Sequence, residues 1–236
     1  MKPVDYYDTI ASGYNAHVLK KPYETYRFDC ITKKILSALP KKKGLKVLDV
    51  GCGTGEFTFS VLSKILEKPK LVGTDFSKGM IDVCKKNFPE FSFKVMDIQD
   101  LTFKDSTFDV VLSRQMLEHV PNPLKAVKEM HRVLKPGGTL ILSTPSWFGP
   151  IAPFYFAKKA TGTMQPIDNW WTPFNLKRTF RKAGFKNVKF TSVCFIPYHH
   201  ILPTMFLPVV KATDRVIALF WFSRYFGRTL VFKAVK

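Results

Sequence analysis

Residues 47–55 read VLDVGCGTG, and this stretch decides the fold. Leu45–Val50 is an apolar run with the pattern of a buried strand, and Asp49, Gly51, Gly53 and Gly55 surround the tight turn that follows it. Glycines there lack side chains that would block a ligand from the backbone. The apolar positions Phe57, Val61, Leu62 and Ile65 then predict a helix whose first amides are exposed donors. The next apolar run, Leu71–Thr74, ends at Asp75, 26 positions after Asp49. A carboxylate at that second strand end is placed to accept both ribose hydroxyls of an adenosyl ligand. The glycine loop alone is weak evidence; the loop and the second acidic strand end together describe a pocket.

Strand and helix patterns alternate on both sides of this point. Upstream, Phe28, Ile31, Ile35 and Leu39 recur at helical spacing, and Lys41 to Gly44 make a polar turn before the first strand. Downstream, Ser77 is a helix cap, and Phe91–Met96 and Phe108–Leu112 read as strands. Asn122 and Pro123 open a helix over residues 124–134, which Pro136, Gly137 and Gly138 end before a strand at Leu140–Ser143. Thr172 and Pro173 begin another helix containing Leu176, Phe180 and Arg181, stopped by Gly184. Val188–Phe190 and Thr229–Ala234 are the last strands. This cadence predicts one doubly wound α/β domain over residues 1–236, with residues 1–44 as an N-terminal helical cap and 145–228 including substrate-cap elements.

Composition narrows the functional classes. The chain is 46% hydrophobic and 14% aromatic, enough to bury a core. Its 37 Lys and Arg against 18 Asp and Glu give a net charge of +19, which favours phosphates or an anionic membrane surface as partners. Cys30, Cys52, Cys84 and Cys194 are widely spaced and show no paired metal-ligand spacing, as expected in a reducing, cytoplasmic compartment. The opening MKPVDYYDT lacks the apolar run of a secretory signal. The basic residues are dispersed and no Asn-Pro-Pro-Tyr motif occurs, so nucleic acid is a disfavoured partner.

Five blocks together resemble the class I methyltransferases that depend on S-adenosylmethionine, in the broad family that includes quinone-biosynthetic enzymes. VLDVGCGTG looks like the cofactor loop, VGTDFS the ribose-binding strand end and VMDIQDL the adenine-binding loop. FDVVLSRQMLEHV and RVLKPGGTLILSTPS match the next two blocks, and YYDTIASGY is a less specific match. The resemblance implies a seven-stranded sheet of order 3-2-1-4-5-7-6 with strand 7 antiparallel. It implies that Asp49, Gly51, Gly53 and Gly55 hold the methionine portion, Asp75 the ribose, and Asp97 and Ile98 the adenine, with Phe76 packed on the adenosyl group. Ser113 and Arg114 would approach the ligand at the end of strand 4, Arg114 alternatively ordering the methionine carboxylate. The product would be S-adenosylhomocysteine.

Such a chain would transfer a methyl group directly to a nucleophile, with alignment supplying much of the rate. Hydride transfer is the competing chemistry, but Glu56 stands where the third glycine of Gly-x-Gly-x-x-Gly would fall. His119 is the candidate acid/base residue; the plainer alternative is that Glu118 and His119 only hold the loop after strand 4. Catechol-modifying relatives use Glu-Met-Leu-Glu-His as a metal-binding pattern, whereas this chain has Gln115-Met116-Leu117-Glu118-His119, so no metal is assigned.

Tyr7 and Tyr14 are candidates to close over the ligand. Trp147, Phe154, Tyr155, Trp170 and Trp171 are candidates for an apolar acceptor wall, with ordinary packing as the alternative. The acceptor is expected to be small and apolar or lipid-linked, methylated at oxygen or carbon; a water-soluble metabolite is the alternative. FIPYHHILPTMFLPVV and a helix containing Val216, Ile217, Ala218, Leu219, Phe220, Trp221 and Phe222, flanked by Lys211, Arg215, Arg224 and Arg228, are expected to meet an anionic membrane peripherally. The alternative is a cap helix packed on the core. Pro197, Pro203 and Pro208 argue against a span.

Overall fold

The computed structural model describes residues 3–14, 21–66, 70–149, 169–196 and 203–236. The stretch after the glycine loop departs from the predicted helix. It is a π-helical turn at Thr58–Leu62 running into a short α-helical turn at Ser63–Ile65. The wider turn buries Phe59 and Leu62 and leaves Ile65 outside.

The strands are β1 (Lys46–Val50), β2 (Lys70–Asp75), β3 (Ser92–Val95), β4 (Phe108–Arg114), β5 (Leu134–Pro145), β6 (Lys186–Val193) and β7 (Thr229–Val235). They form one sheet of order β3-β2-β1-β4-β5-β7-β6. β7 pairs antiparallel with both β5 and β6, and the other pairings are parallel. The expected order and the antiparallel seventh strand are therefore observed. The parallel strands all end at one edge, and the glycine loop opens there, where ligands bind in open α/β sheets.

The helices are α1 (Pro3–Ile10), α2 (Pro22–Ala38), α3 (Lys78–Asn87), α4 (Pro123–Val133), α5 (Pro173–Lys182) and α6 (Leu207–Ile217). The three predicted caps are present. Ser77 accepts from the Met80 amide, Asn122 from Lys125 and Thr172 from Asn175, the last as a reciprocal box with the Asn175 side chain. β5 is longer than expected: α4 stops at Val133 and the strand begins at once. Pro136 and the two glycines fall where the β4 register shifts between Phe108 and Val110, a break that tolerates a residue without an amide donor.

The helix predicted to contain Val216 to Phe222 is also shifted. α6 ends at Ile217, and Trp221–Tyr225 is a separate 3-10 turn. The sheet carries apolar residues on both faces. On one, Leu48, Val111, Leu140 and Phe232 pack with Met130 of α4 and Phe180 of α5. On the other, Val47, Leu112, Ile141 and Val231 pack with Ile31 and Ile35 of α2 and Ile81 of α3.

Candidate active site

The loop Gly51–Gly55 is tied down through its own amides. Gly51 and Cys52 donate to the Thr74 carbonyl (2.7 and 3.0 Å), Gly53 to Asp75 Oδ2 (2.9 Å) and Gly55 to the Cys52 carbonyl (3.0 Å). A phosphate-binding glycine loop leaves such amides pointing at the anion; here they are spent inside the fold. Gly51 has φ +70, and a Cβ there would meet Met116 Cγ at 2.3 Å. Gly53 has φ +55, and a Cβ there would meet nothing within 4 Å, so the loop borders open space at that point.

The side chains around this loop include buried polar atoms without partners. Asp49 Oδ2 accepts a short hydrogen bond from the Thr58 hydroxyl, while Asp49 Oδ1 is buried and unpaired. Burial pushes the Asp49 carboxyl up to about 6, against the Thr58 bond and the Arg114 charge. Arg114, at the end of β4, lies 3.5 Å from the Phe28 ring centroid and 4.6 Å from that of Phe57. All three of its guanidinium nitrogens are buried and unpaired. Burial pulls its pKa down to about 9, with Arg27 adding in the same direction. Unpaired buried groups of opposite sign are costly unless a ligand completes them.

Asp75 is buried at the end of β2, its Oδ1 accepting from the Ser77 amide (3.0 Å) and its Oδ2 from Gly53. Both amides hold it toward the loop. Asp97 is exposed and accepts from the Gln99 amide (2.8 Å), beside buried Ile98. Phe76 is 38% exposed, with Tyr7 edge-on at 5.9 Å, and Tyr7 meets His119 at 5.8 Å. Burial raises the Tyr7 and Tyr14 phenols, so both stay neutral. Glu118 is buried beneath the His119 turn, accepts from Thr144 (3.0 Å), and is raised by burial. Ser113 is buried with its hydroxyl unpaired.

Two sets of contacts at this site were not legible in the sequence. Asp8 of α1 caps α3: its Oδ1 accepts from the Gly79 amide (2.8 Å) and the Ser77 hydroxyl, which pins Tyr7 over Phe76. Glu24 and Arg27 of α2 form an ion pair at 2.7 Å, and Glu24 also pairs with Arg228 at 3.1 Å. Arg27 donates to Gln115 Oε1 (3.1 Å). That bond sets a guanidinium charge against the amide oxygen a cation would require. Among the described residues no cluster of three or more His, Cys, Asp or Glu could hold a metal.

The tryptophans separate. Trp147 is exposed and meets the half-buried Trp170 edge-on at 6.1 Å, whereas Trp171 is buried with the core and its indole nitrogen has no partner. Phe154 and Tyr155 lie outside the described residues.

The described residues fit S-adenosylmethionine: a buried acid and a buried guanidinium with unpaired atoms carry charges opposite to those of a methionine head, and a buried carboxylate ends the neighbouring strand. Comparison with known proteins agrees. A family model described as a methyltransferase domain matches residues 41–184. The demethylmenaquinone methyltransferase of Staphylococcus saprophyticus is 33% identical over 182 residues, covering 68% of this chain and 78% of that protein. The Staphylococcus aureus enzyme of the same name is 34% identical, covering 68% and 76%. A solved S-adenosylmethionine-dependent methyltransferase from Thermotoga maritima superposes with a TM-score of 0.75 at 20% identity, covering 99% of each chain. The fold and site are those of a class I S-adenosylmethionine-dependent methyltransferase, and this protein is such an enzyme. The chain belongs to the methyltransferase-domain family and is related to the menaquinone-biosynthetic methyltransferases.

Proposed function

We infer that the enzyme methylates a small apolar acceptor of the quinol class, lipid-linked and met at the cytoplasmic face of a membrane, at oxygen or ring carbon. The observation that carries this reading is a set of aromatic contacts, Tyr7 packed on Phe76 and His119 and Trp147 against Trp170, which this reading takes as the mouth of the pocket. Such walls suit a planar, weakly polar ring. The relatives named for demethylmenaquinone support the same class. Among the described residues no helix is long and apolar enough to cross a membrane, so the proposed contact is peripheral.

In this reading Asp49 and Arg114 take the ammonium and carboxylate of the methionine head, with the carbonyls and open side of the Gly51, Gly53 and Gly55 turn beside them. Asp75 takes the ribose hydroxyls. Asp97 and the Ile98 amide take the adenine, Phe76 packs on it, and Ser113 borders the ligand. Bound S-adenosylmethionine supplies an already electrophilic methyl group. The protein therefore has to align the acceptor, exclude water and remove the proton the acceptor loses. Tyr7 and Tyr14, neutral through burial, serve as donors that orient the acceptor. His119 takes the proton.

Screening quinols, other lipids and small hydroxylated metabolites for products heavier by one methyl group tests the acceptor class. Quinols are expected to turn over, with His119→Gln removing the limb of the pH–rate profile that belongs to the base. Turnover of water-soluble metabolites alone would overturn the lipid reading.

The Asp49 carboxyl adds a pH dependence. Its folded value of about 6 lies above the unfolded value of about 3.9. The cofactor-free fold thus binds the extra proton between these values and loses about 3 kcal/mol of stability as pH rises through them. An ammonium needs the ionised acid, so S-adenosylmethionine affinity is expected to fall as pH drops below about 6. Isothermal titration across that range should show the fall in wild type and not in Asp49→Asn; a parallel fall in the variant would remove Asp49 from the ammonium site.

A further inference from the structure

Large apolar side chains are exposed unevenly. Of the fifteen strongly exposed ones among the described residues, nine lie between Met205 and Phe226. Met205, Val209, Ala212, Val216 and Leu219 alternate at spacings of four and three, so they form one stripe along α6 and its flanking turns, and all five face solvent. Leu219 is 83% exposed, Met205 78% and Trp221 74%.

The opposite face of α6 is anchored. Val210 and Asp214 are buried, Asp214 accepting from Tyr26 of α2 (3.1 Å) and from the Phe195 amide (3.0 Å), and Tyr23 donates to the Pro203 carbonyl (2.7 Å). The helix thus turns its one acid and Val210 inward, and Val209 and Val216 outward. A contiguous outward apolar surface of this kind marks an interaction site.

We propose that residues 205–226 are the surface through which this enzyme docks on an anionic lipid bilayer, with Leu219, Phe220, Trp221 and Phe222 as the inserting tip. This deepens the lipid-linked reading above and rests on it for its purpose. Charge selects the occupant. Lys211, Arg215 and Arg224 flank the stripe, Arg224 lying 6.0 Å from the Trp221 ring and 5.1 Å from the Tyr225 ring. Asp214 is the only acid between residues 203 and 226 and is buried. Two copies meeting here would oppose like charges on a chain of net charge +19. Anionic headgroups would instead be matched by the cations while the aromatic rings settle at the interface.

The placement in the fold suits lipid delivery. β6 runs parallel to β5 because both oppose β7, so the chain leaves β6 at the sheet edge that carries the glycine loop. From there aromatic contacts continue toward the pocket mouth: Phe226 lies 6.3 Å from Phe148, and Tyr225 stacks on Phe174 at 5.8 Å. Docking on this surface would turn the pocket edge toward the bilayer.

Flotation of the full chain with vesicles of phosphatidylcholine, with and without phosphatidylglycerol, tests this without cofactor or acceptor. Wild type is expected to float with the anionic vesicles and to be released by salt. The exposed pair Leu219→Ser and Trp221→Ser should weaken association about tenfold or more at unchanged melting temperature. Indifference to phosphatidylglycerol, equal flotation of the double variant, or no flotation of wild type would overturn the docking surface. So would a concentration-dependent dimer that the double variant abolishes while vesicle binding is absent. Turnover of a detergent-dispersed short-chain quinol is measured separately. Its loss would sink the quinol reading and leave the flotation result standing.

Discussion

Asp75→Ala is expected to weaken S-adenosylmethionine and S-adenosylhomocysteine binding by about two orders of magnitude or more. Two backbone amides, from Gly53 and Ser77, already fix the carboxylate, one on each oxygen. Each oxygen keeps a second lone pair, and two ribose hydroxyls can fill both. Hydrogen bonds to a charged acceptor contribute about 1.5–3 kcal/mol each, so losing the pair costs about 3–6 kcal/mol. Burial raises the Asp75 carboxyl, which means its charged form is under-solvated and gains from further donors. Asp75→Asn keeps the shape and one acceptor, and should fall between wild type and alanine. Isothermal titration of variants with native circular dichroism measures this; unchanged affinity in a folded Asp75→Ala would end the ribose assignment.

What the sequence made legible is local. Strand, glycine turn and acidic strand end are contiguous runs, and caps such as Ser77 and Asn122 act over three residues, so pattern and chemistry point the same way. The sheet order came from the resemblance and was found in the structure. Contacts between distant segments were not legible. Asp8 caps a helix 71 positions away, and Arg228 pairs with Glu24 across 204. Neither pairing leaves a periodic trace. The α6 boundary was misread because Val216 to Phe222 is continuously apolar, and an apolar run alone cannot say where a helix stops. Trp170 and Trp171 show the same limit at one-residue scale: the pair was read as a single wall, but the bridge between Ser146 and Trp171 draws the second ring into the core while the first remains half-buried.

Arg114→Met separates ligand binding from fold stability and is expected to move them in opposite directions. In the cofactor-free protein the guanidinium is buried with no hydrogen-bond partner, and the rings of Phe28 and Phe57 repay only part of its desolvation. Methionine fills similar space and keeps favourable sulfur contacts with both rings. A buried polar group left without a partner costs about 1–3 kcal/mol, which a packed apolar chain recovers, and about 1 kcal/mol moves the melting temperature by about 2–4 °C in a chain of this size. The melting temperature without ligand should therefore rise by a few degrees. Binding should fall about a hundredfold, because the methionine carboxylate loses a desolvated, charge-assisted partner. Wild type at a cofactor concentration of about 100 Kd gains about 2.7 kcal/mol, a stabilisation the variant loses almost entirely at that concentration. The lead of the variant is thus expected to shrink or reverse with the cofactor: the variant melts higher alone, and adding S-adenosylmethionine stabilises wild type by about 2 kcal/mol more than the variant. A variant that melts lower under both conditions, yet shifts as far as wild type on adding the cofactor, would show that Arg114 serves packing alone and that its unpaired guanidinium is not the carboxylate site.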